Sequence, residues 1–395
     1  MEINLIYMSK NIAIIGGGIG GLTTALCFEK LNIPYTLYEK TPVIKEVGAG
    51  IWLPPNALQV FEWINPQLLK AIIDSGNSLD VIRLADHQLK SISNSEQTFV
   101  KEKFGYTTIA IHRGTLQKIL LNFCDQKNIQ LNKGFEKYSI NSDTSFNIHF
   151  SDNTIVKSDS ILGADGLNSK VRNQLFPKSN LRYSGQTCWR GISNFTLPNE
   201  LTNVGFTLWG KQLQFGVSKI AQDKVYWFAV KLSPPNYKGI DNHKELLLHL
   251  FSEFTPIVNQ LISNTTVEKI IKNDIYDLNV LSKWHNGEIC LLGDAAHGMT
   301  PDLGQGGAQA IEDAYFISNF LKRYHLNFNT AYNEFYKHRK PKVQHLVRQS
   351  RFTSKIAITN KIGELIRNFI LKSTPDKLMQ KQMYSIYKLN NHHFI

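Results

Sequence analysis

The sequence predicts an α/β fold (α+β overall): a Rossmann-like dinucleotide-binding domain, an inserted antiparallel β-sheet domain and a C-terminal helical segment. Three observations predict it. A strand, glycine turn, helix, strand and acid follow one another over residues 11–39. Two further apolar strands, near residues 161 and 289, each end at an aspartate and turn into a helix. Between those two lie short alternating segments separated by polar or glycine-containing turns.

The first element is the β-branched run "NIAII" (11–15), a buried strand. It enters "GGGIGG", where Gly16, Gly18 and Gly21 satisfy G-x-G-x-x-G. "LTTALCFEKL" follows as a helix with Leu22, Ala25, Leu26 and Leu31 apolar, then "IPYTLYEK" as a strand ending in Glu39. Gly16 permits the tight turn, Gly18 lets the backbone approach a pyrophosphate, and Gly21 lets helix and strand pack closely. The helix N-terminus offers free N–H groups and partial positive charge. Glu39 stands 23 residues after Gly16, placed to accept hydrogen bonds from a ribose. NAD and FAD share this fingerprint, so it does not choose between them.

The second junction is "ILGADGLNSKVR" (161–172), a strand ending at Asp165 and Gly166, with Ser169 and Arg172 one helical turn apart. In the third, "EICLLG" is a strand with Asp294 at its end, and "GQGGAQAIEDAYFISNFL" is a glycine turn entering a long helix. A carboxylate at the C-terminal end of a parallel strand sits where open α/β sheets bind ligands. The helix beginning near Gly306 points its N–H groups at the same crevice. A simple NAD dehydrogenase needs neither junction.

Together the motifs resemble the three fingerprints of class A FAD-dependent monooxygenases, the para-hydroxybenzoate hydroxylase fold, from residue 11 to about 350. "VGAGIWLPPNAL" (47–58) resembles the segment passing the flavin, and "IHRGTL" (111–116) the segment whose arginine, here Arg113, contacts FAD. "YSGQTCWRGI" and "KVYWFAV" look most like the salicylate hydroxylase, urate hydroxylase and zeaxanthin epoxidase branch. The resemblance implies FAD contacts from Gly16, Gly18, Ile19, Gly20 and Gly21, from Glu39 and Lys40, and from Gly50, Arg113 and Asp165. It implies that Asp294 bonds the ribityl chain and that the turn from Pro301 to Gly304 runs beside the isoalloxazine. Amides of Gly304, Gln305, Gly306, Gly307 and Ala308 would meet its polar edge. A proline turn and small residues allow that approach, and such donors stabilise negative charge on reduced flavin. His297 reads as a packed, hydrogen-bonded histidine.

The implied chemistry is reduction of FAD by transiently docked NADH or NADPH, then oxygenation of a small aromatic or heteroaromatic substrate with O2 through a flavin hydroperoxide. An apolar pocket would exclude water. The chain offers no Ser-His-Asp set, zinc spacing or carboxylate pair, so the cofactor carries the chemistry, no metal is expected and no catalytic base is named. Two rival readings stand: a flavin oxidoreductase that does not insert oxygen, and a membrane-associated hydroxylase or epoxidase of a lipid-like quinone or terpenoid.

The motif positions make the FAD domain discontinuous: residues 8–75, 101–180 and 275–335. Residues 76–100 and 181–274 form the sheet that the resemblance makes the substrate roof. Trp189, Arg190, Phe215 and Tyr226 are the pocket candidates, Arg190 and Tyr226 also for catalysis, with core as the competing reading for the aromatics. Leu213 stands where the urate hydroxylase branch carries a pocket arginine, which counts against urate.

Residues 336–395 form the basic helical segment. Lys337 to Ile395 hold 13 Lys/Arg and 2 Asp/Glu, a net of +11 out of +12 for the chain. A solvated helical surface explains this ahead of an anionic membrane, and nucleic acid is not expected. The helix starting near Thr330 is expected to break or kink at Pro341. Residues 359–372 are amphipathic through Ile362, Leu365, Ile366, Phe369 and Ile370, a face expected to pack on the FAD domain rather than a membrane. Four cysteines at no metal or redox spacing, no signal peptide and no long apolar run suggest a cytoplasmic protein. Met8 is an alternative start, and the oligomeric state is not set.

Overall fold

The structure, a computed structural model, describes residues 10–43, 49–237 and 242–389; Met8, Val47 and Gly48 lie outside these. Its first sheet has six strands in the order His285–Asn286, Ile289–Leu291, Ser160–Gly163, Ile12–Ile15, Tyr35–Tyr38 and Ile129–Gln130. All neighbours run parallel except the His285–Asn286 edge strand. Ile15 lies opposite Gly163 and Gly163 opposite Leu291. The strand ends of all three junctions therefore share one edge of the sheet. Ile12, Ala13 and Ile14 are wholly buried, as a strand covered on both faces requires. Helices Ile19–Leu31 and Gly306–Arg323 pack against each other, with Gly20 close to Ala310.

The second sheet has seven strands in the order Ile271–Leu278, Leu181–Asn194, Lys224–Leu232, Leu213–Ala221, Val204–Gly210, Val81–Asp86 and Ser91–Glu96. It is antiparallel with one exception: Val204–Gly210 runs parallel to Val81–Asp86. That strand arrives from a distant part of the chain rather than by a hairpin, so nothing forces it to reverse. Helices His243–Leu250 and Pro256–Ser263 cover one face, burying Leu247, Phe251, Val258 and Leu261 against Trp227 and Phe215.

The long C-terminal helix runs unbroken from Phe328 to Ala357, through Pro341 and across the boundary expected at 335/336. Pro341 removes one backbone bond, but the turns on either side are anchored by buried Tyr332, Phe335, Arg339 and Val343. Arg339 donates from Nε to Asp313 (2.8 Å) and pairs through Nη1 with Glu312; Lys342 donates to Glu312 (2.8 Å). Burial alone would raise the Glu312 and Asp313 carboxyls. Lys342 and Arg339 beside the first, and His297 and Arg339 beside the second, hold both below the usual carboxylate range.

Helix Lys361–Lys372 corrects an expectation. Its apolar stripe does not pack on the parallel-sheet domain: Ile362, Leu365 and Phe369 are 70%, 73% and 71% exposed. The helix instead sits beside strand Ser91–Glu96, with Arg367 turned inward.

Removing the cation from the buried cluster should be severe. Arg339→Ala leaves Glu312 with only Lys342 and Asp313 with only His297 as a charged partner in a dry site, and is expected to cost about 3–5 kcal/mol. The shift in urea midpoint of the cofactor-loaded protein measures it.

Candidate active site

The first glycine loop has the geometry its spacing implies. Gly16 has φ of +111°, and a Cβ there would lie 2.6 Å from the Ala164 carbonyl oxygen. A Cβ on Gly21 would lie 1.9 Å from the Gly16 carbonyl oxygen, so helix and strand are too close for any side chain. A Cβ on Gly18 would meet nothing within 4 Å: this face of the loop is open at the helix N-terminus. Glu39 accepts from Gly17 N–H at 2.7 Å through Oε2, and from the Thr41 amide and hydroxyl at 3.0 and 2.9 Å through Oε1. A carboxylate has about four acceptor positions, so one remains on Oε2. Ile19 is buried, Gly20 packs on Leu292, and Lys40 is exposed.

At the second junction Ser169 caps helix Lys170–Leu175, accepting from Arg172 N–H at 2.8 Å. Asp165 Oδ2 accepts from Val171 N–H at 3.1 Å; Oδ1 is buried without a partner, and burial raises this carboxyl. Arg172 is buried and donates to the carbonyls of Leu167 (2.8 Å) and Ala295 (3.3 Å). Ser169 and Arg172 thus brace the junction, and Arg172 ties it to the third.

There, Asp294 follows Gly293 (φ +57°) and its side chain is exposed. The nearest atom to a Cβ built on Gly306 is Asp294 Oδ1, at 3.8 Å, so carboxylate and helix N-terminus share one crevice. Pro301–Leu303 is a single 3-10 turn closed by Gly304 at φ +61°. The Gln305 side chain is buried, and its Oε1 accepts from Asn56 and Gln309. Gly307 lies against Ile51, and Ala308 is buried.

The seven-stranded sheet roofs this crevice with one face. A Cβ on Gly50 would strike the Tyr226 ring at 2.5 Å, and the charge of Arg113 acts on the same tyrosine. Tyr226 lies opposite Ile192 and Ser218, and Ser218 accepts from Trp52 Nε1 at 3.1 Å. Arg190 lies opposite Phe228, whose ring leans over Gly216 where a Cβ would be 2.0 Å away. Trp52 reaches back to the turn, 3.9 Å from a Cβ placed on Gly304.

Arg190 and Tyr226 are therefore brought to the crevice, and Trp189 and Phe215 are not. Side chains alternate along a strand, so Trp189 faces away from its neighbour Arg190. Both aromatics are wholly buried beneath the covering helices, where Phe215 stacks on Trp227 at 5.6 Å. Leu213 also faces that core, while Gln214 shares the crevice side. Three residues that the sequence reading missed join the site. Phe228 has the parity of Tyr226 and was recoverable from it. Trp52 stands two residues after Gly50. Asp302 had no local signal.

The electrostatics are uneven. Arg190 is half-buried, and no carboxylate pairs with it among the described residues; its titratable neighbours are Cys188 and Tyr226. Burial pushes the Tyr226 phenol far up against the pull of Arg190 and Arg113, so it stays protonated. Burial raises Asp302 from 3.8 to about 6, opposed by the Thr300 and Ser354 hydroxyls, and its Oδ2 has no partner. No cluster of metal-ligating side chains occurs among the described residues.

The sequence matches the FAD binding domain family over residues 9–349. It is 34% identical over 312 residues to an aurachin C monooxygenase/isomerase of Stigmatella aurantiaca, covering 78% of this chain and 80% of that protein. It is 32% identical to a zeaxanthin epoxidase of an Oncidium hybrid, covering 82% of this chain but spanning about half (50%) of the epoxidase. Klebsiella pneumoniae HpxO, solved with FAD and uric acid, superposes with a TM-score of 0.87 over 97% of this chain and 98% of its own. At 22% identity that likeness is one of fold.

The Asp302 carboxyl generates a pH prediction. Its raised pKa means that the folded state holds the proton more tightly than the unfolded chain, so stability falls as pH rises from about 4 to about 6. Asp302→Asn should match the parent near pH 4 and melt higher than it at pH 7. Parallel melting curves for the two proteins would show that Asp302 does not titrate in this range.

Proposed function

This chain belongs to the family of FAD-dependent monooxygenases, and we propose that it hydroxylates an aromatic or heteroaromatic substrate bearing an acidic oxygen, consuming NADH or NADPH and O2. The observation that carries the substrate reading is Arg190, a half-buried guanidinium with no carboxylate partner among the described residues, on the face that roofs the crevice. A buried cation is costly unless something pairs it, and a substrate oxyanion would do so.

The residues present fit FAD. The open face of Gly18 at a helix N-terminus suits a pyrophosphate, and the spare position on Glu39 Oε2 suits a ribose hydroxyl. Asp294, exposed in the crevice beside Gly306, is free to take a ribityl hydroxyl. The amides of Gly304 to Ala308 begin the next helix and would meet the polar edge of the ring. Bound there, the flavin would take hydride from the nicotinamide and activate dioxygen.

The protein's own part is positioning. Arg190 would hold the acidic oxygen and keep it anionic, which enriches the ring for attack. The Tyr226 phenol, protonated throughout, is a neutral donor at the same spot. Phe228, opposite Arg190, and Trp52, bonded to Ser218, would flank the substrate and help to exclude water from the reacting atoms. The relatives' names include aurachin C and zeaxanthin, so the substrate reading rests on Arg190 and not on them.

Two sets of variants test the reading. Gly18→Ala should leave the melting temperature of the cofactor-free protein nearly unchanged yet weaken FAD binding about tenfold or more, by flavin fluorescence. Gly21→Ala should fail to fold.

Arg190→Ala should raise KM for the substrate roughly 30- to 100-fold with kcat changed far less, and Arg190→Lys should restore part of it. The assay is NAD(P)H oxidation against a panel of phenols, aromatic acids and heteroaromatics, with oxygen-18 from O2 sought in the product. An unchanged KM removes the anchor; absence of label removes oxygenation.

A further inference from the structure

Helix Lys361–Lys372 is docked with its amphipathicity reversed. Ile362, Leu365, Ile366, Phe369 and Ile370 recur at helical spacing and form one outward stripe, each between 57% and 73% exposed. The side turned to the protein is polar at its centre. Arg367 is 6% exposed, stacks over the Trp209 ring at 4.7 Å and donates to the carbonyls of Ile356 and Ala357 at 3.1 and 2.8 Å. Leu371 packs beside Ala357 and Ile358. These contacts fix the rotation of the helix, so the stripe points outward by construction. Leu378, on the next helix Asp376–Tyr387, extends the apolar surface at 57% exposure.

The surroundings are basic. Lys361 and Lys372 stand at the two ends of the helix, and Lys355, Lys377 and Lys381 flank it in sequence, all exposed, against Glu364 and Asp376 over residues 355–381. We propose that this face docks on an anionic lipid bilayer, with the stripe entering the boundary between headgroups and acyl chains and the lysines meeting lipid phosphates. Charge decides the occupant. A second copy would bring the same positive rim against itself, whereas an anionic bilayer supplies both the apolar layer and the opposite charge. No helix among the described residues is long and apolar enough to cross a membrane, so the contact is one of surface.

The test is co-sedimentation of the FAD-loaded protein with phosphatidylcholine vesicles, with and without phosphatidylglycerol, at low and high salt. The parent should bind the anionic vesicles and release as salt rises. Leu365→Glu with Phe369→Glu should lower partitioning at least about tenfold, and Lys361→Glu with Lys372→Glu should lower it on anionic vesicles. These side chains are exposed, so melting temperatures should stay unchanged. The proposal fails if the parent does not bind anionic vesicles or if the variants bind as the parent does. It also fails if light scattering shows a dimer that Leu365→Glu with Phe369→Glu dissociates, which would make the face a self-interface.

Discussion

Two adjacent carboxylates, Glu312 and Asp313, hold the crevice end of this molecule together. Both are wholly buried on helix Gly306–Arg323. Asp313 accepts from the Gly293 amide at 2.9 Å and from His297 at 2.6 Å, which fixes the backbone immediately before Asp294. Glu312 accepts from Asn56 at 2.6 Å, and Asn56 also donates to Gln305. One turn of helix therefore sets the strand end behind Asp294, the start of its own helix, and the segment after strand Gly50–Leu53. Ionised acids persist in so dry a place only because Arg339 and Lys342 arrive from the C-terminal helix. Part of the basic tail is thus spent inside the fold.

The parallel sheet converts that local rigidity into a site. Register puts Ile15, Gly163 and Leu291 side by side, so three loops from distant parts of the chain open at one edge. Each loop is shaped by a different constraint. The first needs glycines because backbone passes within contact of backbone. The second is closed by the Ser169 cap and the buried Arg172. The third is a left-handed pair, Gly293 and Gly304, on either side of a proline turn.

What was legible in the sequence follows from range. The glycine fingerprint, Glu39 and the three strand ends are local patterns with local physics, and they picked out the end of the sheet where the three loops meet. The roof was half legible. Alternation along "KVYWFAV" separates Tyr226 and Phe228 from Trp227, but which parity faces the crevice depends on the helices that cover the other side. Trp189 and Arg190 cannot both line the crevice, because neighbours on a strand point apart. His297 had no visible acid in the sequence because its partner Asp313 lies 16 residues on, one helix away. Pro341 reads as a break, and long-range ion pairs and buried aromatics on both sides override it.

The outward stripe of the tail has a related cause. An amphipathic pattern says that one face differs from the other and not which one turns inward. Here the choice is made by Trp209, whose ring offers a surface to a guanidinium, and by carbonyls at the end of helix Phe328–Ala357 that need donors. Trp209, Cys188, Val230 and Phe228 share one apolar cluster with Ala357, Ile358 and Leu371. The sheet face that roofs the crevice at Arg190 and Tyr226 is thus the same face on which the tail is seated. A single layer of side chains orients both the roof of the crevice and the outward stripe, so the two cannot be rotated independently.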